Sequence, residues 1–157
     1  MADQPGRQIA GNALVQDYMT SQAESLETSQ SLLEAVLLLR KSGFRHIPIL
    51  EQGRLAGVLS ERDIYRFSPT MLLPLPVKEY NQLFEETRIG TVMTPNPQSI
   101  APDAPLSHAV EIMVQSRLGC LPVMDAGQLV GIITVRDMLR ALYDFVAPIP
   151  PPAESGE

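Results

Sequence analysis

Displaced by 74 residues, the sequence aligns on itself without a gap. YMTSQ (18–22) falls on VMTPN (92–96), FRHIPIL (44–50) on LGCLPVM (118–124), and GRLAGVLSERDI (53–64) on GQLVGIITVRDM (127–138). The pairs Met19/Met93, Thr20/Thr94, Pro48/Pro122, Gly53/Gly127, Gly57/Gly131, Arg62/Arg136 and Asp63/Asp137 are identical. A period this long, present twice, predicts an internally duplicated, pseudo-symmetric domain and not an open solenoid. At 157 residues, 45% hydrophobic and 19% charged, the chain suits two small repeats sharing a real core.

Each repeat is legible locally. SLLEAVLLLRKSG (31–43) opens with Ser31 and has Glu34 three residues on, a capping box. Leu32, Leu33, Val36, Leu37, Leu38 and Leu39 make a broad apolar face, and Gly43 stands where a helix ends in a left-handed residue. In the second repeat the matching helix, from about Pro105 to Ser116, starts on a proline in place of the cap. HIPIL and RLAGVLS are short β-rich runs around the turn-like EQG. Their near-continuous apolar character predicts strands covered on both faces. SERDIYRF (60–67) reads as a short helix capped by Ser60, and a short strand is expected around Ser25 to Thr28. The predicted order is β-α-β-β-α, twice, an α/β (α+β) fold.

The domain division that follows is an N-terminal arm (1–13), repeat 1 (14–67), a linker (68–88), repeat 2 (89–146) and a tail (147–157). Within the linker, VKEYNQLFEETR (77–88) places Val77, Tyr80, Leu83 and Phe84 at helical spacing, so these four are expected to be buried on one face of an amphipathic helix, within the chain or at a dimer contact. The tail APIPPPAESGE should be extended and disordered.

Composition excludes several classes of function. The net charge of −6 argues against an electrostatic nucleic-acid binder. No apolar run reaches the roughly 20 residues of a membrane span, and MADQPGRQIAGNA has no apolar core of a secretory signal. A cytoplasmic location is the resulting expectation. Cys120 is the sole cysteine, so an intrachain disulfide is impossible and a cysteine-based metal site is not expected. With His46 and His108 the only histidines, no triad or metal cage suggests itself, and His108 is expected on a helix surface beside Glu111. The chain reads as a non-enzyme.

GVLSERDI (57–64) and GIITVRDM (131–138) both end in Ser/Thr-x-Arg-Asp. One reading is a capping box: the hydroxyl and the acid satisfy free N–H groups at a helix start, and the acid sits near the positive end of the helix dipole. The other is a ligand site, because a carboxylate accepts hydrogen bonds from both hydroxyls of a ribose and a helix start helps to hold phosphate. The two readings are compatible.

The ordered features—Met-Thr, an extended segment, a helix, an x-x-Pro-Val/Ile strand, a Gly-x-Leu-x-Gly-Ile/Val strand and a final Ser/Thr-x-Arg-Asp helix start—resemble a CBS domain. Two in tandem resemble a CBS pair, or Bateman module, over roughly residues 14–143. The linker SPTMLLPLPVKEYNQLFEETRIGTVMTPNP is similar to that of bacterial stand-alone CBS proteins of the acetoin-utilisation type. This resemblance implies a regulatory module that binds an adenine nucleotide (AMP, ADP or ATP) or another adenosyl compound between the repeats. It further implies a homodimer that signals to a regulated protein. The alternative is a constitutive dimeric interaction protein with an empty cleft.

The resemblance also implies the site residues. The acid of each repeat would face the segment after Met-Thr of the other. Asp137 and Thr134 would then join Thr20, Gln22 and Ala23, while Asp63 and Ser60 join Thr94, Asn96 and Pro97. Ile47, Ile133, Leu59 and Leu121 are candidates for the adenine surroundings, with core packing the competing role. Arg45 and His46, with Arg62 and Arg136, are candidate phosphate contacts, and the crossed arrangement assigns Arg45 and His46 to the cleft of Asp137. Gly119 and Cys120 occupy the matching positions of the second repeat, and Cys120 is expected to be a buried, inert thiol.

Overall fold

The computed structural model describes residues 12–69 and 75–146. Nearly all of the arm, residues 70–74 of the linker and the proline-rich tail lie outside the described residues.

The chain begins with a helical turn, α1 (Val15–Tyr18), and two short strands, β1 (Thr20–Ser21) and β2 (Leu26–Glu27). Helix α2 (Leu32–Ser42), the hairpin β3 (His46–Glu51) and β4 (Arg54–Ser60), and α3 (Glu61–Phe67) complete the first repeat. After α4 (Val77–Glu86) and a 3-10 turn (Ile89–Thr91) come β5 (Thr94–Pro95), α5 (Leu106–Ser116), the hairpin β6 (Cys120–Asp125) and β7 (Gln128–Thr134), and α6 (Val135–Val146). The strand expected near Ser25 forms as β2, parallel to β3, whereas its counterpart in the second repeat is reduced to a single bridge between Ile100 and Val123.

The duplication extends to backbone detail. Positive φ angles occur at Gln22 and Asn96, Gly43 and Arg117, Gln52 and Ala126, and Gly53 and Gly127, each pair 74 positions apart. Both hairpins carry an irregularity at the same point, after Ile49 and after Val123. Helix α2 forms as its sequence predicts. Ser31 and Glu34 close the capping box, and Gly43, at φ 69°, ends the helix with its N–H on the Leu39 carbonyl. Leu37, however, is exposed, because the face turned to the sheet is Leu32, Ala35 and Leu39.

The two halves exchange their first segments. Strand order is β1-β7-β6 in one sheet and β2-β3-β4-β5 in the other, so each repeat donates a short strand to its partner's hairpin. The cores follow the same exchange. Val15, at the start of repeat 1, packs with Leu106, Ala109, Met113, Leu121, Val123 and Ile133, whereas Ile89, at the start of repeat 2, packs with Leu32, Leu39, Ile47, Ile49 and Leu59. A third, smaller cluster of Val58, Cys120 and Ile132, with Ala23 against it, lies where the repeats meet.

Within the single chain, helix α4 buries only Phe84 of its four apolar-face residues, and Tyr80 is exposed. Phe84 is buried, stacks on Tyr80 at 4.6 Å and meets the Phe67 ring edge-on at 5.6 Å. Val77 is exposed and Leu83 only half-buried. The aromatic contact anchors the helix, and Val77, two turns before Phe84, reaches past the surface it covers. No helix among the described residues is long and apolar enough to cross a membrane.

Candidate functional site

The exchanged strands make two junctions between the repeats, related by the pseudo-symmetry. Thr20 pairs with Ile132 and Ser21 with Gly131, and Gln22 N–H donates to the Val130 carbonyl at 3.1 Å. In the other half Thr94 pairs with Val58 and Pro95 with Gly57, and Asn96 N–H donates to the Ala56 carbonyl at 3.0 Å. Gln22 and Asn96 both stand at φ 50°, which turns the chain away from the strand. The approach is close enough to demand glycine opposite it. A Cβ on Gly131 would lie 2.6 Å from the Thr20 carbonyl oxygen; one on Gly57 would lie 2.8 Å from that of Thr94 and against the Met93 sulfur.

These pairings bring Thr20, Gln22 and Ala23 onto the sheet that ends in Thr134 and Asp137. They bring Thr94, Asn96 and Pro97 onto the sheet that ends in Ser60 and Asp63. Both Ser/Thr-x-Arg-Asp motifs form the capping box. Asp63 Oδ2 accepts from Ser60 N–H at 2.8 Å and from its hydroxyl at 2.6 Å, and Ser60 Oγ accepts in return from Asp63 N–H at 3.3 Å. Asp137 Oδ2 accepts from Thr134 N–H and hydroxyl, both at 2.8 Å. Capping thus uses one oxygen of each carboxylate and leaves Oδ1 outside the cap. Asp63 is half-buried, Asp137 buried, and Arg62 and Arg136 are exposed.

Arg45 and His46 fall at the end of their own hairpin, on the side of Asp63. His46 pairs with Ser60 across the β3–β4 hairpin, and Glu61 N–H donates to the Arg45 carbonyl at 3.1 Å. The charges acting on His46 are Asp63, Glu61, Arg45 and Arg62, all of its own repeat. β3 keeps its hairpin partner and carries both basic residues to its own repeat's helix start, while Asp63 also acts across the repeat boundary on Cys120 of β6. Across the repeat boundary, His46 lies against Gly119, where a Cβ would come within 2.8 Å of Nε2. The Gly119 of LGCLP therefore makes room for the imidazole of FRHIP.

Burial pushes the His46 pKa below the ordinary 6.5, with Asp63 opposing. A histidine lowered in this way binds protons more readily in the unfolded chain, so stability should be full above about pH 6.5 and fall as the pH drops below it. Urea denaturation at pH 7.5 and 5.5 should show that loss, and His46→Gln should reduce it; an undiminished loss in the variant would assign it to other groups.

Four apolar candidates lie elsewhere. Ile47, Leu59, Leu121 and Ile133 are core residues facing the helices. Their neighbours Val58, Cys120 and Ile132 face the repeat boundary instead, because adjacent strand residues point to opposite faces. Burial raises the Cys120 thiol to about 12, which leaves it un-ionised and unreactive at neutral pH. Sequence reasoning missed Arg140, whose guanidinium donates to the Tyr18 carbonyl at 2.7 Å and lies 3.7 Å from Asp137 Oδ1. The one available signal was its match to Arg66 in the alignment of the repeats. His108 lies on the surface of α5 with Nδ1 3.5 Å from Glu111. Among the described residues no group of three His, Cys, Asp or Glu is arranged to hold a metal.

Comparison with known proteins agrees with this architecture. Over 84% of its length the chain superposes on 91% of an acetoin utilization protein (AcuB) from Vibrio cholerae, with TM-score 0.69 and 31% identity. It is similar to CBSX2 of Arabidopsis thaliana, solved in complex with AMP (TM-score 0.67, 27% identity, 82% of this chain and 95% of that one). It is also similar to the CBS domain pair of protein MJ0100, solved with 5′-methylthioadenosine and S-adenosyl-L-methionine (TM-score 0.67, 26% identity, 83% and 99%). The CBS domain model matches residues 15–69 and again 89–144, the two halves that exchange strands, and the chain belongs to the CBS-domain family.

Proposed function

We propose that this chain is a non-catalytic sensor that binds an adenine nucleotide, or a related adenosyl compound, in a cleft between its repeats and signals occupancy to a partner protein. The observation that carries this reading is the Asp63 cleft. A carboxylate with one oxygen committed to its helix cap presents the other beside a strand of the opposite repeat, and Arg45 and His46 stand at the same end of the hairpin. A ribose diol matches the first feature and a phosphate the second. Backbone groups from Thr94 to Pro97, where the strand ends at the left-handed Asn96, are candidates for a base edge. The similar proteins solved with AMP and with adenosyl sulfur compounds support this ligand class.

Thermal melting with AMP, ADP, ATP, NAD and S-adenosylmethionine tests the reading. A true ligand at 100 times its Kd should stabilise by roughly 2.7 kcal/mol. No shift with any adenosyl compound would favour a constitutive interaction protein instead.

The exposed side chains support a homodimer. Leu37 of α2, Val114 of α5, and Leu139, Leu142 and Tyr143 of α6 are all more than half exposed. One chain leaves these helix faces uncovered, and a second copy would cover them. Light scattering at micromolar concentration should give twice the chain mass, and a monomer mass would remove the dimer from the proposal.

A further inference from the structure

We infer that Arg140 is a two-position latch over Asp137 that makes the second cleft a weaker nucleotide site than the first. This rests on the nucleotide reading above and deepens it by ranking the clefts.

Asp137 has little left to offer a diol. Its Oδ2 is occupied by the Thr134 N–H and hydroxyl, and its Oδ1 faces the Arg140 guanidinium at 3.7 Å. The same nitrogen donates to the Tyr18 carbonyl at 2.7 Å, and the guanidinium lies 5.8 Å from the centre of the Tyr18 ring. Arg140 thus spans from α6 to the end of α1, across the outward oxygen of Asp137.

The first repeat lacks this arrangement. Arg66 matches Arg140, but Val92 offers no ring where Tyr18 stands, and no ion pair joins Arg66 to Asp63 among the described residues. One carboxylate oxygen therefore remains open beside His46, while its counterpart is held by an arginine.

A second position for Arg140 lies on its other side. An open cavity of about 450 Å³ is lined by Asn12, Ala13, Asp17, Tyr18, Arg140 and Asp144. Asp144 follows Arg140 by four residues on the same helix, the spacing at which side chains of opposite charge meet. A diol arriving at Asp137 would displace the guanidinium into this cavity, toward Asp144 and Asp17. The pair it gives up is exposed on the arginine side, so the competition should weaken binding about two- to fivefold.

The test is calorimetric titration of AMP in an Asp63→Asn background, which silences the first cleft while keeping an oxygen to cap its helix. Arg140→Gln should tighten the remaining site about two- to fivefold. Asp144→Asn, by removing the second position, should weaken it. Weaker or unchanged binding in Arg140→Gln would overturn the latch, the former by making Arg140 a ligand contact. Hydrogen exchange without ligand separates this from a failure of the nucleotide reading. If AMP bound no variant or the wild type, that reading would fall, but Arg140→Gln should still speed exchange of the 18–22 amides. Unchanged exchange would overturn the latch on its own.

Discussion

Asp63→Ala is expected to weaken AMP binding by about 10- to 150-fold, and Asp137→Ala by less. Two hydrogen bonds from a ribose diol to a charged acceptor contribute roughly 1.5–3 kcal/mol, and each 1.4 kcal/mol is a factor of about ten. The larger loss is assigned to Asp63 because the β3–β4 hairpin carries Arg45 and His46 to that end, whereas Gly119 and Cys120 take their places in the other half. Asp63 also caps α3, and loss of a cap alone costs about 1 kcal/mol of stability. Asp63→Asn separates the roles: it keeps an acceptor for the Ser60 N–H but removes the charge. Calorimetric titration of both variants, with melting curves to establish folding, decides the matter. A greater loss from Asp137→Ala would move the nucleotide to the second cleft, and no loss from either would leave both acids as caps only.

Gly131→Val should destabilise the fold by about 1–3 kcal/mol or more, the cost of forcing atoms into a filled space. The obstacle is backbone, since the new Cβ would lie 2.6 Å from the Thr20 carbonyl oxygen, and a carbonyl cannot swing aside as a side chain can. Relief requires β1 to leave β7, which breaks the exchange between repeats. Gly57→Val should behave alike against Thr94. Gly127→Ala is the control. It meets nothing within 4 Å, and its φ of 79° should cost roughly 1–2 kcal/mol while leaving β1 in place. Urea unfolding gives the free energies, and hydrogen exchange at 20–22 reports on the strand. If β1 amides stay protected in Gly131→Val, the close approach is not what the glycine serves.

Much of this was legible before any coordinates. The duplication was read from identities 74 apart, and it recurs in the paired positive φ angles and in the two hairpin irregularities. The three capping boxes and the glycine end of α2 could be assigned because their partners lie three or four residues apart. The exchange of first segments was expected from a family resemblance, not from the residues; nothing local in YMTSQ says that it pairs with GIIT.

What the sequence leaves open is which distant surface a residue meets. The family resemblance places His46 in the Asp137 cleft; hairpin register sets it opposite Ser60, where Asp63 of its own repeat acts on it. For Ile47, Leu59, Leu121 and Ile133 core packing competes with a ligand role, and they face the helices because the pleat reverses sides at every residue. Val77 fits the helical period of Phe84 and is exposed in the single chain, and the period alone does not say whether a second copy covers it.

By itself, then, the sequence determined the duplication, the order of elements and the caps, because each rests on neighbours in the chain or on an internal copy. Only the tertiary structure decided which carboxylate has basic neighbours and which is held by Arg140. The latch contact joins residues 122 positions apart, and its partner on Tyr18 is a backbone carbonyl, a group every residue carries and no sequence pattern marks.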